Sequence, residues 1–135
     1  MVRVERIKQK FSSLPQPDDR YSYLIDLGRA LPLYPPALRT PSHIVPGCQS
    51  TLYLAARLEN GLLHFSADAD ALISKGLAAL LLSVYSGLSP EEILNNPPTF
   101  LHEIGLFASL SPNRSNGLAH IYHRIRQEAV HQSRK

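Results

Sequence analysis

The stretch STLYLAARLENGLLHFSAD, Ser50 to Asp68, constrains the fold more than any other part of the sequence. Leu52, Leu54, Ala56 and Leu58 alternate with Thr51, Tyr53, Ala55 and Arg57, the two-residue period of a strand with one buried face. Asn60-Gly61 follows, a dipeptide that readily takes the left-handed residues of a tight hairpin turn. LLHFSAD then reads as the return strand. An isolated hairpin is marginal in water, so a third strand or a cover of helices is required. Ser42 to Val45 is the candidate third strand.

Helical spacing surrounds the hairpin. Val4, Ile7 and Phe11 fall at i, i+3 and i+7 and predict a first helix ending near Ser13. Pro17 suits the first turn of a second helix, with Asp18 and Asp19 at its positive end. Its apolar face is Tyr21, Leu24, Ile25 and Gly28, where Gly28 reads as a close-packing or terminating residue. Asp68 is placed to cap a third helix, which Gly87 ends. Leu72, Ile73, Leu77, Leu80, Leu81 and Val84 fill much of its circumference, so it belongs in the core. Ser89 to Glu92 is a capping box with proline at the first helical position, opening a short helix that ends near Leu94. Another short helix runs from Pro98 to Gly105. Ser111-Pro112 starts the last helix, with Leu118, Ile121, Tyr122, Ile125 and Ala129 on one face. Strands and helices segregate along the chain, which predicts an α+β fold: about three antiparallel strands covered by helices.

At 135 residues the chain is expected to form one domain, residues 1–135. A chain of this size buries roughly 65–70% of its unfolded surface and needs no staples. Its single cysteine makes no internal disulfide and fits a reducing compartment. MVRVERIKQKF holds no apolar stretch resembling a signal peptide. The longest apolar run, Gly76 to Tyr85, falls short of the about 20 residues that cross a bilayer. The expectation is a soluble cytoplasmic protein without membrane contact. The net charge of +3 is a mild excess, with no basic stripe and no interleaved stacking aromatics, so nucleic acid is not an expected partner. His120 and His123 share a helix face, but one cysteine and scattered histidines lack zinc spacing, and no bound metal is expected. There is no phosphate loop and no dinucleotide fingerprint.

From Leu31 to Pro46 the prolines Pro32, Pro35, Pro36, Pro41 and Pro46 exclude regular helix. A loop of about 15 residues without structure of its own is usually functional or disordered. This one delivers the chain to Cys48, in Pro46-Gly47-Cys48-Gln49-Ser50. A lone cysteine reads two ways, as a small buried hydrophobe or as a reactive thiol. Gly47 permits a left-handed turn or close approach, and Gln49 and Ser50 supply polar groups beside the thiol. At an ordinary thiol pKa only about 3% is ionised at pH 7. No neighbouring lysine or cysteine lowers that value, and His43 is the candidate base. No protease signature surrounds the cysteine. Asp70 falls in the first turn of a predicted helix, where the dipole favours a carboxylate. Arg114 falls in the first turn of another, where a cation calls for a carboxylate partner within the fold or across an interface.

Four segments in order resemble one family: RYSYLIDLGRALP (Arg20 to Pro32), VPGCQSTLYL (Val45 to Leu54), SADADALISKGLAALLLSVYSGLSPEEIL (Ser66 to Leu94) and GLFASLSPNRSNGL (Gly105 to Leu118). The chain resembles the SufE family of sulfur acceptors over roughly Phe11 to Ala129. The G-C-Q-S element alone is a weak signal; with the D-x-D-A, K-G-L and L-S-P-x-R runs it is specific.

The resemblance implies an α+β fold like that of the IscU-type scaffolds and a role in iron–sulfur cluster biogenesis. It implies a SufS- or CsdA-like cysteine desulfurase as partner and a SufB-like Fe–S scaffold as recipient. It implies no cofactor on this chain, since pyridoxal phosphate belongs to the desulfurase, and a monomer or weak homodimer. By position, Cys48 matches the persulfide-forming cysteine, with Gly47, Gln49 and Ser50 around it. Asp70 matches the aspartate near the cysteine loop, and Arg114 the arginine of the desulfurase encounter. Lys75 and Gly76 match structural positions. Tyr53 stands where many relatives carry tryptophan, and Ala69 where serine is common. The family tucks its thiol into an apolar pocket between encounters; Leu52, Tyr53 and the helix of Leu72 to Leu81 are the expected walls. Two other readings stand beside it: a binding module that regulates a desulfurase without chemistry at Cys48, and a redox enzyme with Cys48 as peroxidatic thiol.

Overall fold

The computed structural model describes residues 1–134. Two helices, α1 (Val2–Ser12) and α2 (Pro17–Arg29), precede the proline-rich segment. That segment holds two single 3-10 turns, Pro36–Leu38 and Pro41–His43. The hairpin follows as β1 (Leu52–Glu59) and β2 (Leu62–Ala69). Then come α3 (Leu72–Tyr85), α4 (Pro90–Leu94), α5 (Phe100–Glu103), α6 (Leu106–Ser109) and α7 (Pro112–Ser133). The class is α+β, as expected.

The hairpin turns at Asn60 (φ 54°) and Gly61 (φ 79°), both left-handed, and pairs Leu52 with Ala69 through Glu59 with Leu62. Leu52, Leu54, Leu63, Phe65 and Ala67 are buried on its helix-facing side. Leu58, expected inward by alternation, is 46% exposed although Leu63 opposite it is fully buried, because the turn after α3 packs along β2 and leaves this end of β1 at the open edge.

Among the described residues the sheet has two strands, not three. The expected third strand contracts to one bridge, Ile44 to Tyr53, closed by Val45 N–H donating to the Leu52 carbonyl at 2.9 Å. The reason is local. Pro41 begins a 3-10 turn through His43, and Pro46 lacks the N–H that would continue the ladder. On the other side, Leu63 exchanges backbone bonds with the turn after α3, donating to Leu88 O at 2.8 Å and accepting from Gly87 N at 2.7 Å.

α3 is the centre of the core. Leu77, Leu80, Leu81, Val84 and Tyr85 are essentially fully buried among α1, α2, α7 and the hairpin. Its contact with α2 is glycine-mediated. A Cβ on Gly76 would lie 2.2 Å from the Leu24 carbonyl oxygen, and one on Gly28 would lie 2.9 Å from the Gly76 nitrogen. Gly28 is thus a close-packing residue, and Gly76 is structural.

Asp68 does not cap α3. β2 continues to Ala69, and Ala71 is the N-cap residue, without a side-chain bond. Asp68 instead pairs with Arg39, and with Lys75 at 3.2 Å. Burial opposes its ionisation, but hydrogen bonds from Arg39 and Lys75 outweigh this and hold the carboxyl below its ordinary range. The capping box at α4 forms as expected, with Glu92 N–H donating to Ser89 Oγ and Ser89 N–H to Glu92 Oε1, each at 3.1 Å. The expected Pro98 to Gly105 helix shortens to α5, and left-handed Gly105 (φ 72°) opens α6. Leu118, Ile121, Ile125 and Ala129 are buried on α7. Among the described residues no helix is long and apolar enough to cross a membrane.

Candidate functional site

The chain reaches Cys48 through a turn at Pro46-Gly47, with Gly47 at φ 85°. The exposed His120 ring lies against the Gly47 backbone, where a Cβ would sit 2.4 Å from it and would displace the ring. One helical turn further along α7, Arg124 donates to the carbonyls of Ser42 (2.7 Å) and Ile44 (3.4 Å). One face of α7 therefore holds the approach to Cys48. Beyond the cysteine, Asp70 closes the loop. Its carboxylate accepts from Thr51 N–H at 3.1 Å, while its own N–H donates to the Thr51 carbonyl at 3.2 Å. Asp70 is a loop anchor at the end of β2, ahead of α3 rather than in its first turn.

Between these anchors Cys48 is half-buried and opens on a cavity of about 370 Å³. The apolar walls come from four elements: Ile25 of α2, Leu52 of β1, Leu72 and Leu77 of α3, and Ile121 of α7. The sulfur lies against Gly117 of α7, whose carbonyl is 3.9 Å from Sγ, a weak contact for a thiol donor. Burial pushes the Cys48 thiol pKa up. Burial in this position therefore favours the neutral thiol over the thiolate. The rate of alkylation by iodoacetamide against pH is expected to show a higher midpoint in the folded protein than in the same chain in denaturant. An equal or lower midpoint contradicts the buried-thiol description.

Ser50 and Arg114, predicted from sequence, line the same cavity; Gln49 lies at its exposed edge. The Ser50 hydroxyl is buried and has no hydrogen-bond partner among the described residues. An unpaired buried hydroxyl costs about 1–3 kcal/mol. Arg114 is exposed, with its guanidinium 5.8 Å from the Tyr21 ring, and no carboxylate pairs with it among the described residues. A carboxylate within the described fold is thereby removed as its explanation.

Two sequence expectations do not hold. His43 is bound by Thr40 Oγ1 at 2.8 Å inside its own 3-10 turn and does not line the cavity. Tyr53 is no wall of the cavity, because alternation along β1 sends it to the face opposite Leu52. There its ring packs 5.7 Å from Tyr34, and Arg39 lies 5.3 Å and 5.5 Å from the centres of the Tyr34 and Tyr53 rings. Arg39, Tyr34 and Asp68 thus pin the proline-rich segment to the sheet. Sequence reading missed Tyr34, Arg39 and the His120–Arg124 face, and gave Asp68 another role. An aromatic and an arginine inside a proline-rich loop, and two basic residues one turn apart on α7, were the available signals.

Comparisons with known proteins agree with this geometry. The family model for SufE, described as an Fe–S metabolism associated domain, matches residues 5–129. An uncharacterized SufE-like protein of Rhizobium etli is 40% identical over 134 residues, covering 96% of this chain and 90% of that protein. The sulfur acceptor protein CsdE of Escherichia coli is 36% identical over 119 residues, covering 87% of this chain and 81% of that one. The solution structure of a hypothetical protein from Thermus thermophilus superposes with a TM-score of 0.82 at 26% identity, covering 98% and 97% of the two chains. A match over nearly the whole chain, with the glycine-borne cysteine set in an apolar cavity, shows that the chain belongs to the SufE family.

Proposed function

We propose that this protein accepts sulfur on Cys48 from the persulfide of a cysteine desulfurase and hands it on to an iron–sulfur scaffold. The observation that carries the reading is the setting of Cys48: a lone thiol on a glycine turn, anchored at both ends, over an apolar cavity. The family's tie to Fe–S metabolism and the sulfur acceptor named among the relatives support it. In the transfer, Cys48 loses its proton to solvent and its thiolate attacks the terminal sulfur of the donor persulfide. A new S–S bond forms, the donor's S–S bond breaks, and the donor cysteine leaves as thiolate. Pyridoxal phosphate acts in the desulfurase, and this chain carries no cofactor of its own. Arg114, without a carboxylate partner among the described residues, is the side chain offered to the desulfurase surface.

The architecture serves two opposed needs. The sulfur must reach into a partner's active site, which a turn can do and a core residue cannot. Between encounters it must be kept from other thiols and oxidants, which the cavity does. A thiol raised in pKa by burial is the opposite of what a peroxidatic cysteine requires, so the redox-enzyme reading loses its support. We place the protein, as a monomer or weak dimer, in a reducing compartment such as the cytoplasm; a relative in Arabidopsis thaliana is named chloroplastic/mitochondrial, so the address differs among relatives.

The test is desulfurase turnover, read as alanine formed from cysteine with and without this protein. The reading expects a several-fold rise that saturates with added protein. Unchanged turnover at molar excess, with desulfurases of more than one type, contradicts it.

A further inference from the structure

We infer that the Ser50 hydroxyl is the hydrogen-bond donor for the loaded form of Cys48, the persulfide anion, inside the cavity. The inference rests on the acceptor reading of Cys48 and assigns a binding role to a residue beside it.

The empty and the loaded sulfur differ as hydrogen-bond partners. In the empty state Sγ carries a proton and faces the Gly117 carbonyl, 3.9 Å away. Among the described residues no contact within hydrogen-bond reach joins Sγ to the Ser50 hydroxyl in this state. The Ser50 hydroxyl is accordingly left without a partner among the described residues although it is buried, in a residue that lines the same cavity. A buried polar atom without a partner calls for an explanation, and a ligand that comes and goes is one.

Loading changes the chemistry of the site. The added sulfur extends the side chain by about 2 Å, the length of one S–S bond. The cavity of about 370 Å³ has room for it, being many times the roughly 30 Å³ share of one water. A persulfide is a stronger acid than its parent thiol, so it carries a negative charge at neutral pH. An anion among Ile25, Leu52, Leu77 and Ile121 is costly unless a donor meets it. The Ser50 hydroxyl supplies an O–H, and hydrogen bonds to ionised acceptors are about twice as strong as neutral ones. The charge pattern agrees: among the described residues Arg114 is the one charged side chain lining the cavity, and no carboxylate lines it. The cavity that buries the thiol thus also has beside it a buried hydroxyl with no partner of its own, available to the loaded form.

The test loads the full chain with inorganic polysulfide in place of a desulfurase, so its outcome does not depend on which desulfurase is the partner. The Cys48 thiolate attacks a polysulfide sulfur, one S–S bond forms and one breaks, and a shorter polysulfide leaves. After excess reagent is removed, the near-ultraviolet absorbance of the perthiolate is titrated against pH in the parent and in Ser50→Ala. The expected result is a persulfide pKa about one unit higher in Ser50→Ala, a tenfold shift in ionisation. A several-fold shorter persulfide lifetime against glutathione accompanies it. The alkylation midpoint of the unloaded thiol stays where it was. Equal persulfide pKa values in the two proteins overturn the inference. So does a shift that appears equally in the unloaded thiol, because that marks a change in packing. Failure of the parent to retain sulfur after loading overturns it as well, since a cavity with a donor for the anion must hold it. Desulfurase stimulation is scored separately, and its absence alone would count against the acceptor reading and not against this one.

Discussion

Cys48→Ser is expected to return the rate of a stimulated cysteine desulfurase to its basal value while leaving the two proteins bound. Stimulation has one chemical requirement. A desulfurase slows when its own cysteine remains loaded, and an acceptor speeds it by removing the sulfur. A serine hydroxyl forms no stable bond to sulfane sulfur, so that removal stops. The structure gives no reason for binding to stop with it. The loop is held by the His120 ring against Gly47, by Arg124 on the Ser42 and Ile44 carbonyls and by the Asp70–Thr51 exchange, none of which uses Sγ. Sγ itself makes only the 3.9 Å contact with Gly117. Turnover and complex formation are therefore measured side by side, the first as alanine produced and the second by calorimetric titration. Stimulation that persists in Cys48→Ser would establish the regulatory binding module instead.

Gly76→Ala is expected to lower stability by about 2–3 kcal/mol, against the usual direction of that substitution. In an ordinary helix interior, alanine in place of glycine stabilises by roughly 0.5–1 kcal/mol. At Gly76 the new methyl carbon would lie 2.2 Å from the Leu24 carbonyl oxygen and 2.6 Å from its carbon. These are backbone atoms of α2 and cannot rotate aside, so α2 and α3 must separate. Overpacking of a well-filled core costs about 1–3 kcal/mol and at times more. The expected net loss corresponds to a fall in Tm on the order of 10 °C, read by thermal unfolding. The displacement also reaches the site, because Ile25 of α2 and Leu72 and Leu77 of α3 wall the Cys48 cavity. An unchanged or higher Tm would show that α2 and α3 approach one another less closely than these distances state.

The features readable from sequence were those governed by local geometry. Asn60-Gly61 fixes the hairpin because both residues must be left-handed, and Ser89 to Glu92 closes on itself. Features decided at a distance were not readable. Asp68 carries the signature of a helix cap, but Arg39 and Lys75 claim it while β2 runs past it. Ser42 to Val45 has the composition for a strand, but its flanking prolines permit one bridge only. The site divides the same way. Cys48, Ser50 and Arg114 belong to motifs and are found together in one cavity. Ile25 and Ile121, which complete that cavity, come from helices that meet only through tertiary packing. His120, whose ring lies against the Gly47 backbone, comes from the last helix.

The most direct measurement is the intact mass of the protein after incubation with a cysteine desulfurase and free cysteine, without reductant. Acceptance of one sulfane sulfur adds about 32 Da to the chain, removable by a thiol reductant. The account predicts that gain in the parent protein and its absence in Cys48→Ser. A parent mass that stays unchanged while desulfurase turnover rises would contradict it.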